Sequence, residues 1–113
     1  MIAGLAAAAA LASVPPAIEQ DLRCIGVFAI ALSEDEKLTA EEKAGITGAV
    51  MFYMGRIEGR SPGFRWNEAL SSLTHAPGYV ETLPADAERC AAEMTTKGNE
   101  MSSIGMPAEK PGK

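Results

Sequence analysis

The chain has 113 residues, 47% of them apolar but with only three Phe, two Tyr and one Trp, and a formal charge of −5 at pH 7. That length holds a single domain with a thin core. The acidic balance argues against nucleic acid and against anionic lipid, both of which are held by clustered Lys and Arg. Much of the apolar share is Ala and Met, which favour helix over sheet, so the expected fold class is all-α.

Residues 1–14 form an uncharged apolar run of the length of a signal-peptide core, too short to span a bilayer. Ala10-Leu11-Ala12 supplies the small-x-small pattern of a cleavage site, and Pro15 and Pro16 break any helix continuing from the run. No Lys or Arg precedes it, which implies either an upstream start or an atypical signal; an Ala-rich N-terminal helix of a cytosolic protein is the rival reading. The expected division is therefore a cleaved signal at 1–12, one helical domain at 13–107 and a disordered tail at 108–113. An exported chain with two cysteines most simply pairs them, Cys24 with Cys90, whereas in the cytosol both would be buried free thiols.

Residues 17–32 read as the first helix of the domain, with Leu22, Ile25, Ala29 and Leu32 at helical spacing. From Cys24 to Leu32 it is apolar nearly all round, which marks it as central and leaves a buried strand as the alternative. Thr39-Ala40-Glu41-Glu42 is a capping box opening a helix that runs to about residue 60. Ile46, Val50, Tyr53, Met54 and Ile57 share one face of it. Gly45, Gly48, Gly55 and Gly59 lie roughly opposite, with Phe52 among them. Four glycines cost such a helix about 3–4 kcal/mol relative to alanine, so close approach of another helix is the first expectation and a ligand groove the second. Arg56, Arg60 and Arg65 gather near the helix end, to satisfy its last carbonyls or to form a small anion or partner site. Gly48, Phe52, Gly55, Arg56, Gly59 and Arg60 together form the candidate partner or groove surface.

Ser61-Pro62-Gly63 is a turn. Residues 64–73 read as a short helix anchored by Phe64, Trp66, Leu70 and Leu73, and 74–82, with Pro77-Gly78, as a loop. Pro84 suits the first turn of a last helix, in which Leu83, Ala87, Cys90, Met94, Met101 and Ile104 keep one face. The architecture expected is a bundle of about four helices whose first and last are joined by the disulfide. That bridge closes a loop of more than sixty residues, for which the chain-entropy model gives about 4 kcal/mol.

Chemistry finds little purchase. A reactive thiol needs a cation, a helix N-terminus or a CxxC partner, and although Arg23 and Arg89 precede the cysteines, adjacent helical residues do not face one another. His75, the single histidine, is the one candidate general base and falls in the expected loop. Glu34-Asp35-Glu36 lacks the spacing of a calcium loop, and zinc would need more Cys and His. Met51, Met54, Met94, Met101 and Met106 could offer thioethers to Cu(I), but at helical spacing they read as core. Gly55-Arg-Ile-Glu-Gly59 has a membrane-helix spacing but carries charges, and Ile57-Glu-Gly-Arg60, which matches a familiar engineered protease site, continues its helix face. No metal, cofactor or catalytic residue is expected.

The pattern Asp21-Leu-Arg-Cys24-Ile-Gly-Val-Phe-Ala, then Tyr53-Met-Gly-Arg-Ile-Glu-Gly-Arg60, Pro62-Gly63 and Arg89-Cys90 resembles small exported two-cysteine helical proteins of alphaproteobacteria, a resemblance that brings no activity with it. The layout alone, two cysteines on outer helices of a short bundle, is similar to the HdeA-like acid-stress chaperones. The leading expectation is a non-enzymatic periplasmic or secreted accessory protein. It would present a helical surface to an envelope protein, with no stable membrane insertion after signal cleavage, and a homodimer is a further arrangement that face allows. The alternatives are a periplasmic stress chaperone and a small enzyme using a thiol or His75.

Overall fold

The computed structural model describes residues 14–105; the expected signal segment and tail lie outside them. Four helices follow one another, α1 (Pro16–Glu34), α2 (Ala40–Arg60), α3 (Trp66–Thr74) and α4 (Tyr79–Gly105), with no strand among the described residues. The all-helical class holds, and the apolar run after Cys24 is helix rather than strand.

Pro16 starts α1, where its missing N–H costs nothing and its fixed φ is already helical. Ile18, Leu22 and Ile25 recur along its buried stripe together with Cys24 and Gly26, and this helix packs against all three others. The capping box of α2 forms as its spacing predicts: Glu42 N–H donates to Thr39 Oγ1 at 3.0 Å and Thr39 N–H to Glu42 Oε1 at 2.9 Å. Ala49, Tyr53 and Ile57 are the buried residues of α2, all in its second half and centre, while residues 40–48 are largely exposed. Tyr53 stacks on Phe28 of α1 with centroids 6.1 Å apart, and Ala69 and Leu73 seat the short α3.

The last helix corrects two expectations. It begins at Tyr79, not near Pro84, so the loop is four residues, not nine, and Pro84 lies inside the helix. Gly78, at φ +83°, makes the turn that permits the early start. Pro84 sits in the second turn, where it forfeits one hydrogen bond and the remaining ones carry the helix through. Met101 and Ile104, expected on the inward face, are 72% and 78% exposed.

Close packing is also not where the glycines of α2 place it. A Cβ built on Gly45, Gly48, Gly55 or Gly59 would meet nothing within 4 Å, whereas one on Gly26 of α1 would collide with the Tyr79 hydroxyl. That hydroxyl is buried and has no hydrogen-bond partner. The cost of the α2 glycines is therefore not offset by helix contact among the described residues.

Cys24 and Cys90 are bonded, with Cα atoms 5.5 Å apart and both residues fully buried, tying α1 to α4 across 66 positions of sequence.

Candidate functional site

Beside the disulfide runs a seam of charges. Asp21, on the buried stripe of α1, is 1% exposed. Its carboxylate accepts from Arg56 Nη2 at 2.8 Å, from Arg56 Nε at 3.2 Å and from Arg60 Nη1 at 3.2 Å. The paired contact from Arg56 is the two-pronged geometry that makes arginine–carboxylate bonds strong. Arg56 continues to Glu93 of α4, with 2.9 Å between Nη1 and Oε2, and Tyr53 Oη donates to Glu93 Oε1 at 2.9 Å. The Arg56 guanidinium also lies 4.9 Å from the Phe52 ring centroid and 5.4 Å from that of Tyr53, close enough for cation–π attraction. The hydrogen bond from Arg56 holds the Glu93 carboxyl below its usual range, while burial and then the Glu93 charge push the Tyr53 phenol upward.

A second knot lies one helical turn from the disulfide. Arg23 of α1 donates to Thr82 Oγ1 at 3.0 Å and to Asp86 Oδ2 at 3.2 Å, and pairs with Glu19 at 3.0 Å. Arg89 reaches Asp86 at 3.4 Å and brings Nη1 within 3.6 Å of Cys24 Sγ. Residues 82–93 of α4 are thus fastened to α1 and α2 by one covalent bond and several ionic ones.

Beyond Met94 the fastening stops. Among the described residues, the side-chain ion pair of the last turns is Lys97 with Glu100, 3.4 Å apart on the same helix. Here α2 and α4 enclose an open groove of about 410 Å³. Gly45, Gly48 and Ala49 line its α2 side, and Phe52, Met94 and Met101 give it apolar walls. Small residues at i, i+3 and i+4 on a helix let another backbone come near.

The candidate surface residues divide between these features. Gly48 and Phe52 line the groove; Arg56 and Arg60 are committed to Asp21, neither capping carbonyls of their own helix nor left free for an anion. A Cβ at Gly55 or Gly59 would face open space, and Arg65 pairs with Glu68 at 3.2 Å. His75 closes α3, exposed, its Nδ1 2.7 Å from the Ser71 carbonyl. The described methionines do not converge on one point: Met94 and Met101 line the groove, Met54 packs on the core and Met51 is exposed elsewhere, while Met106 lies outside the described residues. No group of three or more His, Cys, Asp or Glu suited to a metal occurs among the described residues, and none of their helices is long and apolar enough to cross a membrane.

Asp21 and Glu93 are what sequence reasoning passed over, and Asp86, which on sequence suits the positive end of the last helix, has its role in pairing with Arg23 instead. Asp21 did carry a signal: it falls on the stripe that joins Ile18, Leu22 and Ile25, so a carboxylate on a buried face demanded cations from another helix. Comparison with protein-family models, with curated proteins and with solved structures gave no match.

Proposed function

We propose that this chain is a non-enzymatic accessory protein of the periplasm or extracellular space that receives the apolar face of a helix in the groove between α2 and α4. The observation that carries this reading is the groove itself, lined by glycine and alanine on one side, walled by Phe52, Met94 and Met101, and without an occupant from the described residues. Glycines that cost helix stability and touch nothing are accounted for when something else comes to touch them. The buried disulfide supports an oxidising compartment, because such bonds persist there and are rare in a reducing cytosol.

A photoreactive residue in place of Met101 tests this in the cell that makes the protein. The expected result is one discrete cross-linked product that disappears when Gly48→Leu fills the groove and that is not formed from Met51, which lies outside it. No groove-dependent product would defeat the reading.

One observation favours the acid-stress chaperone as a second reading: every ionic bond joining α4 to α1 and α2 uses a carboxylate. In acid strong enough to pass below the lowered range of the Glu93 carboxyl, its ionic bond to Arg56 is lost, and α4 is then held to α2 by apolar packing. Suppression of client aggregation at that pH would support it, and absence of suppression ends it. An enzyme draws no support from the geometry, since both sulfurs are buried in the disulfide and His75 is spent at a helix end.

A further inference from the structure

We infer that the occupant of the groove is a second copy of this chain, the two α4 helices crossing antiparallel at Gly98–Asn99 so that the Met101 of each enters the groove of the other. The inference rests on the reading of the groove as a helix-binding surface and names what binds there.

The end of α4 needs cover. Past Met94 it has no ionic tie to another helix among the described residues, it carries Gly98, and it exposes Met101 and Ile104 at 72% and 78%. A helical end gains most of its stability from packing an apolar face, and a glycine within it costs about 1 kcal/mol.

Charge selects a second copy over a foreign helix. The chain is net −5, yet the groove carries one cation and one anion, Lys97 and Glu100. Within one copy these two pair with each other 3.4 Å apart, and a partner helix charged with one sign gains against one of them and loses against the other. A two-fold axis between Gly98 and Asn99 sets Lys97 opposite Glu100 of the second copy, and Glu100 opposite its Lys97, so both are answered at once. Closure by such an axis requires one patch to complement itself, and here ridge and groove belong to the same face: Met101 and Ile104 project beside the hollow they would fill. Gly98, whose missing side chain leaves open space, stands at the crossing, where two backbones come nearest.

Sedimentation equilibrium of the oxidised full chain across the micromolar range tests this. The mass should rise with concentration from 11.8 kDa towards twice that value. Gly98→Leu, which improves helix propensity, should leave helix content and thermal midpoint equal or higher while raising the dissociation constant at least about tenfold. Lys97→Glu and Glu100→Lys should each weaken self-association about threefold or more, and an equimolar mixture of the two should restore it. A single 11.8 kDa species throughout, or a dimer indifferent to Gly98→Leu, overturns the inference. If the protein is monomeric yet cross-linking from Met101 still depends on Gly48, the groove reading stands with a different occupant; if neither occurs, both fall.

Discussion

The two halves of α4 are built on opposite principles. From Thr82 to Glu93 the helix is bound on every inward turn, by Asp86 to Arg23, by Cys90 to Cys24 and by Glu93 to Arg56 and Tyr53. From Lys97 to Ile104 it has an apolar edge and a self-contained ion pair. The facing helix repeats the division, with Tyr53 and Ile57 buried in its second half and Gly45 and Gly48 open in its first. Fastening is concentrated at one end of the molecule and open apolar surface at the other. A rigid groove wall needs that arrangement, because the anchored turns hold the free ones at a fixed angle.

The sharpest way to break the contrast is at Asp21. Asp21→Ala removes the buried carboxylate that holds both Arg56 and Arg60 to α1, and loss of one partner from a buried ionic set costs about 3–5 kcal/mol. Urea unfolding should show that loss, whereas Glu100→Ala at the free end should shift stability by less than about 0.5 kcal/mol.

Next in size is the disulfide. Replacing both Cys24 and Cys90 by Ser should lower stability by about 4 kcal/mol, read from the unfolding midpoint, and hydrogen exchange should accelerate in α4 before it does in α2.

The acid limb follows. The Glu93 carboxyl titrates below its ordinary range because Arg56 donates to it. Its contribution is thus complete above the unfolded carboxylate value, about 4.3, and is lost as pH falls through the lower folded one. Glu93→Gln should flatten that part of a plot of stability against pH and leave the region above pH ~6 sloping as before. The Tyr53 phenol is displaced upward, so its share is intact below about pH 10 and declines above it.

The smallest effect lies on α2. Gly55→Ala and Gly59→Ala, outside the groove, place a methyl in open space and should each stabilise the protein by about 0.5–1 kcal/mol. Thermal melts would reveal a loss instead if a helix of the same molecule packed there.

Those residues also show what could be read in advance. The capping box at Thr39 was legible because its signal is local, two side chains answering two N–H groups three residues apart. The pairing of Cys24 with Cys90 was legible because two cysteines permit one intramolecular bond. The start of α4 was not: Pro77-Gly78 and Pro84 both read as punctuation, yet tertiary contact of Tyr79 with Gly26 and of Thr82 and Asp86 with Arg23 carries the helix back past the proline. Nor did the glycines of α2 reveal their surroundings, since a missing side chain can mean a near neighbour or none. Arg56 and Arg60 were singled out without their partner because Asp21 is 35 and 39 positions away, and sequence spacing is silent on such distances.

The span of the disulfide also sets an order on the making of the molecule. Of the four described helices, the one at the centre of the bundle is synthesised first and the one that locks it is synthesised last. Sixty-six residues separate Cys24 from its mate. At about 5–20 residues per second, Cys24 stays an open thiol for several seconds of elongation. During that interval it has no partner within its own chain, and neither the seam at Asp21 nor the wall of the groove is complete until α4 has been made.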